Sequence, residues 1–491
     1  MQNPSKELLK HSLIYGTSDL LNKIVAFFLL PIYTRYLSPS EYGILQILVI
    51  TSNLVTIIVQ MGLGSAIFKS VLYNEGANKK VIINTSFYFL IASSFLVLLP
   101  IWLNAAQICK LILGSSEHTK FFRIILVTIF FNTFSIIPLA KLRIEDASFK
   151  FSVLICSKFF LQLLMNIYFV VWLKKGIEGI IIAEAINAFI FSFVFTATLF
   201  NKLGFIFSFK ELKDMLEFGL PLVPAALAMF ILTMSDRYFL KYFSDLEQVG
   251  LYSVGYRFGM IVGLLVGAFQ KAWPSVMFNI AKEKNARQIF SKNFTYLLFV
   301  LFFVSLCLSV FSKDIIKLIT TERFLPAFQV IPLISLSFLC YGIYYYTAIG
   351  MNLKKKTFYQ PLAVGSAAMI NLFLNYVLIP KWGTMGAASS TFVSFLLMAT
   401  VANKISLHFY HVTYQYKRIL MMVLTFAVIW GISGVVSIPN ILISILFKIL
   451  LLCGYPVLLL GIGFFDKEEK EKIEYILQSC FLIKLLMKMV N

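Results

Sequence analysis

The stretch from Tyr15 to Ile47, YGTSDLLNKIVAFFLLPIYTRYLSPSEYGILQI, decides the fold. Its middle, IVAFFLLPIY, is apolar without interruption, and the apolar pattern around it reads as one membrane-spanning helix over 12–36. The basic start (Lys6, Lys10) has no short apolar segment and small-residue cleavage site after it, so this is an uncleaved first span rather than a signal peptide. Three charges sit in or beside the run. Asp19 and Lys23 are four residues apart, neighbours on a helix and able to pair, and Arg35 lies near the outer end. The same plan returns from Phe218 to Val254, FGLPLVPAALAMFILTMSDRYFLKYFSDLEQVGLYSV. Each copy opens on an aromatic–Gly pair and runs through a Pro-containing apolar helix with an Arg near its end (Arg35, Arg237). Each then passes a short acidic loop to a Gly that opens the next span (Gly43, Gly250). The copies are about 200 positions apart, six spans, so they keep the same orientation and predict two lobes related by an axis along the membrane normal, with a substrate path between them.

Composition carries this reading across the whole chain. Of 491 residues, 59% are hydrophobic and only 13% charged, where a soluble domain carries about 25% charged residues. With roughly 20 apolar residues per span, the apolar content suffices for about fourteen spans and little else. A soluble enzyme, a disordered chain and a large water-exposed domain on an anchor are excluded. The apolar runs fall at 12–36, 42–67, 81–103, 120–140, 151–173, 178–200, 215–241, 249–279, 293–312, 328–350, 358–380, 383–407, 418–437 and 440–465. The expected class is therefore an all-α polytopic membrane protein: an N-lobe over 1–213 (helices 1–6), a C-lobe over 214–410 (helices 7–12), two further helices over 411–465, and a tail over 466–491.

The net charge of +20 is read as topology, not as nucleic-acid binding, because no basic domain exists to bind it. Alternate loops hold most of the Lys and Arg, for example Lys282, Lys284, Arg287 and Lys292, then Lys354, Lys355 and Lys356. The alternation persists along the chain and places both termini in the cytoplasm. In the tail, Asp466 can cap a helix whose Ile473, Ile476, Leu477 and Cys480 share one face, an amphipathic helix lying on the membrane.

Charges inside spans are costly and face a wet cavity or a partner. Besides Asp19, Lys23 and Arg35, these are Glu184 in the sixth span, Asp236 and Arg237 in the seventh, and Arg257 and Lys271 in the eighth. Lys158 and Lys448 are read as snorkelling to headgroups, and Arg35, Arg123 and Lys241 lie near enough to span ends to do the same. In the candidate set Lys23, Arg35, Arg237, Arg257 and Lys271 outnumber the carboxylates Asp19, Asp236 and Glu184. A net positive cavity suits an anionic substrate, and guanidinium forks suit phosphate oxygens. The carboxylates are candidates for a coupling ion, Na+ or H+. Pro221, Pro224 and Pro274 are candidate hinges, since proline removes a helix hydrogen bond. Gly255, Gly259, Gly263 and Gly267 recur every four residues, which permits close helix packing.

Six scattered cysteines and four isolated histidines form no metal-binding spacing, and no metal or other cofactor is expected. The phosphate-loop pattern GxxxxGK[ST], GxSxG and HExxH are all missing from the sequence. No outer loop is long enough to carry a catalytic domain, so no enzymatic role is expected.

Four segments resemble the polysaccharide transporter family, the Wzx-type O-antigen and capsule repeat-unit flippases of the MOP superfamily, with a MATE-like fold. They are LIYGTSDLLNKIVAFFLLPIYTRYLSPSEYGIL, FGLPLVPAALAMFILTMSDRYFL, VGLYSVGYRFGMI and AWPSVMF from Ala272. The resemblance extends through length, span number and tail. It implies two six-helix lobes plus two C-terminal helices, flipping undecaprenyl-diphosphate-linked oligosaccharides across the bacterial inner membrane by alternating access driven by an ion gradient. It further implies membrane lipids and polysaccharide polymerase or assembly proteins as partners. By motif position it carries over Asp236, Arg237 and Arg257. Three alternatives stand beside it: a multidrug exporter of the same superfamily, for which an acidic cavity is expected; a lipid II flippase; and a membrane glycosyltransferase or polymerase.

Overall fold

The computed structural model describes residues 29–73, 78–199, 204–436 and 438–471, apart from the Tyr73 side chain. Among these residues there are helices and no strands. In the first half they are α1 (29–36), α2 (Pro39–Gln60), α3 (Leu63–Tyr73), α4 (Lys79–Leu103), α5 (Ala105–Leu113), α6 (Thr119–Thr133), α7 (Ile136–Ile144), α8 (Ser148–Asn166) and α9 (Gly176–Ala197). The second half holds α10 (Phe209–Gly219), α11 (Leu222–Met234), α12 (Asp236–Phe243), α13 (Leu246–Gly259), α14 (Ile261–Ile280), α15 (Ala286–Val310), α16 (Ser312–Ile319), α17 (Ile331–Thr347), α18 (Ile349–Leu353) and α19 (Tyr359–Phe409). Then come α20 (Tyr416–Val435) and α21 (Ile441–Gly461).

Eleven helices among the described residues are long and apolar enough to cross a membrane, or twelve if α10 and α11, bent by 41°, form one span. The chain is a multi-pass membrane protein. Most of the expected spans each fall on one such helix. The first, 12–36, lies largely outside the described residues, and so do Asp19, Lys23 and the amphipathic positions Ile473, Ile476, Leu477 and Cys480. The expected spans 358–380 and 383–407 fall within α19, which turns at Gly383 (φ 52°), a left-handed backbone that glycine adopts without strain.

The breaks are not where the prolines alone would put them. Pro221 does sit at the bend between α10 and α11. Pro224 stands in the first turn of α11, where a missing N–H leaves no bond unmade. Pro274 lies inside α14, which continues through it; the eighth span instead divides at Met260, between α13 and α14.

The two sequence copies use matching local chemistry. Ser38 caps α2 in a capping box with Glu41, and Asp245 caps α13 through the Gln248 N–H at 2.7 Å. Each cap precedes its glycine by the same interval, and those glycines meet. A Cβ on Gly43 would run into the Leu246 carbonyl, and one on Gly250 into the Pro39 carbonyl. Backbones thus touch where α2 crosses α13, as only glycine permits. At the same end Tyr42 packs edge-on to Phe324, with centroids 6.0 Å apart, and Thr321 Oγ1 donates to the Thr34 carbonyl at 3.2 Å. Toward the other end of α2, Gly62 (φ 72°) abuts the backbone of Gly219. One apolar core runs through both halves, joining Leu30, Ile47 and Phe122 to Tyr252, Phe258 and Ile334.

Candidate functional site

Two polar regions interrupt this apolar interior. The first is built on α12. The Asp236 and Arg237 side chains are almost completely buried, at 1% and 4% exposure. Arg237 Nη1 donates to Asp236 Oδ1 at 2.6 Å and to the Thr233 carbonyl at 2.6 Å. The guanidinium lies 4.0 Å from the Tyr256 ring centroid and 5.1 Å from that of Tyr252, within cation–π range. The Tyr252 hydroxyl donates to Asp236 Oδ2, and Thr391 Oγ1 donates to the same oxygen at 3.4 Å. Next to this pair, Ser235 Oγ donates to Asn371 Oδ1 at 3.2 Å, and Asn375 Nδ2 donates to Asn371 Oδ1 at 2.9 Å. Asn371, Asn375 and Thr391 are fully buried. Asn375 Oδ1, Asn371 Nδ2 and the Tyr256 hydroxyl have no hydrogen-bond partner. Unpaired buried polar atoms are costly, and a carboxylate beside neutral side-chain oxygens is the donor set that hard cations accept.

The second region lies among α1, α6, α8 and α9. Lys158 Nζ donates to Asn132 Oδ1 at 2.8 Å and lies over the Phe195 ring. Asn187 Nδ2 donates to Gln162 Oε1 at 2.7 Å and to the Lys158 carbonyl at 3.2 Å. The Tyr33 hydroxyl donates to Asn166 Oδ1 at 3.0 Å. Glu184 on α9 is exposed, and it feels the Lys158 ammonium. Tyr33 feels both Glu184 and Arg257. Half-buried Arg257 comes from α13, in the other half of the chain, and its guanidinium is 5.8 Å from the Tyr42 ring centroid. It therefore stands where the two halves face each other.

The sequence-predicted residues thus separate. Asp236 and Arg237 come together as an enclosed, self-neutralised pair. Arg257 and Glu184 come into one electrostatic neighbourhood. Arg35 is exposed at the end of α1, and Lys271 is exposed on α14. Lys158, read from sequence as snorkelling, turns inward to Asn132 and Glu184. Lys448 pairs with Asp314 at 2.5 Å, and Arg123 lies over Trp102 at 4.7 Å. Sequence reasoning missed Asn371, Asn375 and Thr391. Their signal was two amides four residues apart inside the apolar run AAMINLFLNYVLIP. Among the described residues no cluster of three or more His, Cys, Asp or Glu could hold a metal ion.

Residues 32–329, more than half of the chain, match the family described as "Polysaccharide biosynthesis protein". The chain belongs to that family. The Lsg locus putative protein 1 of Haemophilus influenzae is 24% identical over 279 residues, covering 57% of this chain and 68% of that protein. The fold resembles that of the lipid II flippase MurJ in an inward closed conformation, with a TM-score of 0.73, 18% identity, and coverage of 92% and 99% of the two chains. It also resembles a multidrug-resistance MATE family transporter of the MOP superfamily in its inward-facing conformation, with a TM-score of 0.59, 15% identity, and coverage of 78% and 93%. Family and fold together show a multi-pass membrane protein of the polysaccharide biosynthesis family with a fold like that of these solved structures.

Proposed function

We propose that this family member moves an anionic lipid-linked oligosaccharide, carried on undecaprenyl diphosphate, across the bacterial inner membrane without changing it chemically. The observation that carries the reading is Arg257. It is a half-buried guanidinium at the junction of the halves, over the Tyr42 ring and felt by Tyr33, which also feels Glu184. The diphosphate docks on Arg257, joined by Lys23 and Arg35 from the first span, while the polyprenyl tail stays in lipid between two six-helix lobes of a fourteen-span chain. The lobes rock about the glycine contacts of α2 with α13 and α10, with both termini cytoplasmic.

Coupling belongs to the Asp236 cluster. A Na+ ion there takes Asp236 Oδ2, Thr391 Oγ1 and the unpartnered Asn375 Oδ1. Arg237 holds the same carboxylate when the ion is away, so ion and guanidinium compete for one partner. Glu184 with Lys158 offers a second, proton-linked candidate.

The test is glycan export in a host lacking its own flippase. Losing a charged hydrogen bond removes about 1.5–3 kcal/mol, so Arg257→Ala should lower export by about tenfold or more at unchanged protein level. Full export by that variant overturns the docking role. Rescue of a strain lacking its lipid II flippase, or gain of drug resistance, would move the substrate to the corresponding alternative.

A further inference from the structure

A cavity of about 320 Å³ lies inside the second half of the chain, away from both polar regions. Trp273 of α14, Tyr344 and Tyr345 of α17, Asn352 of α18 and Gln360 of α19 line it, with Gln270 one turn before Trp273. Its volume falls at the lower edge of ligand sites, which span about 300–1,000 Å³. Among the described residues no charged side chain lines it, so these residues offer neither a diphosphate nor a metal cation a counter-charge. A polyprenyl chain would leave its amides without partners.

The lining combines flat aromatic faces with carboxamides. Trp273 is 5% exposed and stacks against Phe269 with centroids 5.0 Å apart. Gln360 Nε2 donates to Asn352 Oδ1 at 2.8 Å, which fixes two amides at the rim. Among the lining residues, Trp273 leaves its indole N–H without a partner. A hydroxyl inserted beside it makes a bond that the protein alone leaves unmade. A pyranose ring has the matching chemistry: an apolar C–H face for the aromatic rings and an equatorial belt of hydroxyls for the amides.

We propose that this cavity is a carbohydrate subsite that takes one neutral sugar ring of the transported glycan. This deepens the flippase reading and rests on it. The cavity opens near the ends of α14 and α17, beside the loops with Lys282 and Lys284 and with Lys354–Lys356. The charge pattern assigns those loops to the cytoplasm, the side from which a newly assembled glycan arrives. The subsite therefore reads the sugar while Arg257 holds the diphosphate.

The test uses the full chain in lipid nanodiscs, where no maltoside detergent competes. Saturation-transfer NMR is recorded with a panel of neutral hexoses and N-acetylhexosamines at millimolar concentration, and with added pyrophosphate. Transfer from protein aromatic protons to at least one sugar is expected. It should fall at least several-fold in Trp273→Phe and in the rim variants Asn352→Ala and Gln360→Ala, and be unaffected by pyrophosphate. The rim residues are only partly buried, so their replacement leaves the helices packed even if Trp273→Phe does not. No transfer from any sugar, transfer indifferent to all three substitutions, or displacement by pyrophosphate overturns the subsite. Sugar binding with these properties but without export of a lipid-linked glycan in cells leaves the subsite standing and overturns the flippase reading instead.

Discussion

The two polar regions hold their charges in opposite ways. Asp236 and Arg237 are adjacent in the chain, buried together, and ringed by Tyr252, Tyr256 and Thr391. Glu184 and Lys158 come from different helices, with Glu184 exposed and the amides of Asn132 and Asn187 filling in around Lys158. The closed pair satisfies its charges within the protein, so it sets structure until something displaces one partner. The open pair keeps water as an alternative partner, so it responds to what enters. A buried pair gains little net stability over an apolar replacement, yet loses heavily when one member is removed. An open pair loses little either way.

The largest predicted effect follows from that asymmetry. Asp236→Asn leaves Arg237 buried without a counter-charge and should destabilise the protein by about 3–5 kcal/mol, read as a lowered midpoint of thermal unfolding in detergent. The double variant Asp236→Leu with Arg237→Met removes both charges and should recover much of the loss, short of the unpaired Tyr252 hydroxyl. If the single variant is as stable as the double, the pair is not enclosed and the contrast between the regions fails.

How far the sequence foretold this contrast depends on the element. Long apolar runs and the SDR triplet at Ser235–Arg237 are visible as letters, and adjacency alone brought Asp236 to Arg237. The paired glycines Gly43 and Gly250 were visible too, because the duplication repeats their spacing from the caps. Which way a lone charge points on an apolar helix was not visible. Lys158 on a run of Phe and Leu reads the same whether it snorkels to a headgroup or turns inward, and the answer depends on Asn132 and Glu184, which arrive from elsewhere in the chain. Asn371 and Asn375 joined Asp236 only through the packing of α19 on α12. Pro224 falls in the first turn of α11, where a missing N–H leaves no bond unmade, whereas Pro274 lies inside α14 and removes one hydrogen bond without ending the helix. At Met260 the eighth span divides next to Gly259, where an added Cβ would strike Ile334 at 2.6 Å. Close packing, rather than a proline, marks that point.

The open pair supplies the intermediate case. Glu184→Gln should change unfolding stability by no more than about 1 kcal/mol, while altering export. Export by this variant should lose much of its response to an imposed proton gradient and keep its response to Na+. Stability falling as far as in Asp236→Asn would show that Glu184 is enclosed after all, and the two regions would then be alike.

A third charged knot lies between these extremes and carries the smallest effect. Arg418 at the start of α20 pairs with Asp466 at 2.5 Å and with Glu469 at 3.2 Å, and the Tyr296 hydroxyl donates to Glu469 at 2.6 Å. Glu469 also accepts the Asp466 N–H at 2.7 Å, the reach-back half of a capping box; the Asp466 carboxylate, expected to cap this helix, goes to Arg418 instead. Burial raises the Glu469 carboxyl, but the bonds from Tyr296, the Asp466 N–H and Arg418 outweigh it and hold the group below its ordinary value. The sign follows by linkage. A carboxyl depressed in the folded state stabilises docking of the tail above its unfolded pKa, about 4.3 for Glu. That contribution fades as pH falls from there through the lower folded value. Protection of residues 466–471 from proteolysis should therefore hold at neutral pH and weaken below about pH 4. Glu469→Gln should lose much of this pH dependence, because a neutral amide does not titrate here and keeps only one of the two accepting oxygens. Protection that rises on acidification, or is unchanged between wild type and Glu469→Gln at every pH, would show that the tail is held by the apolar packing of Phe464 and Phe465 against Phe299 and not by the knot.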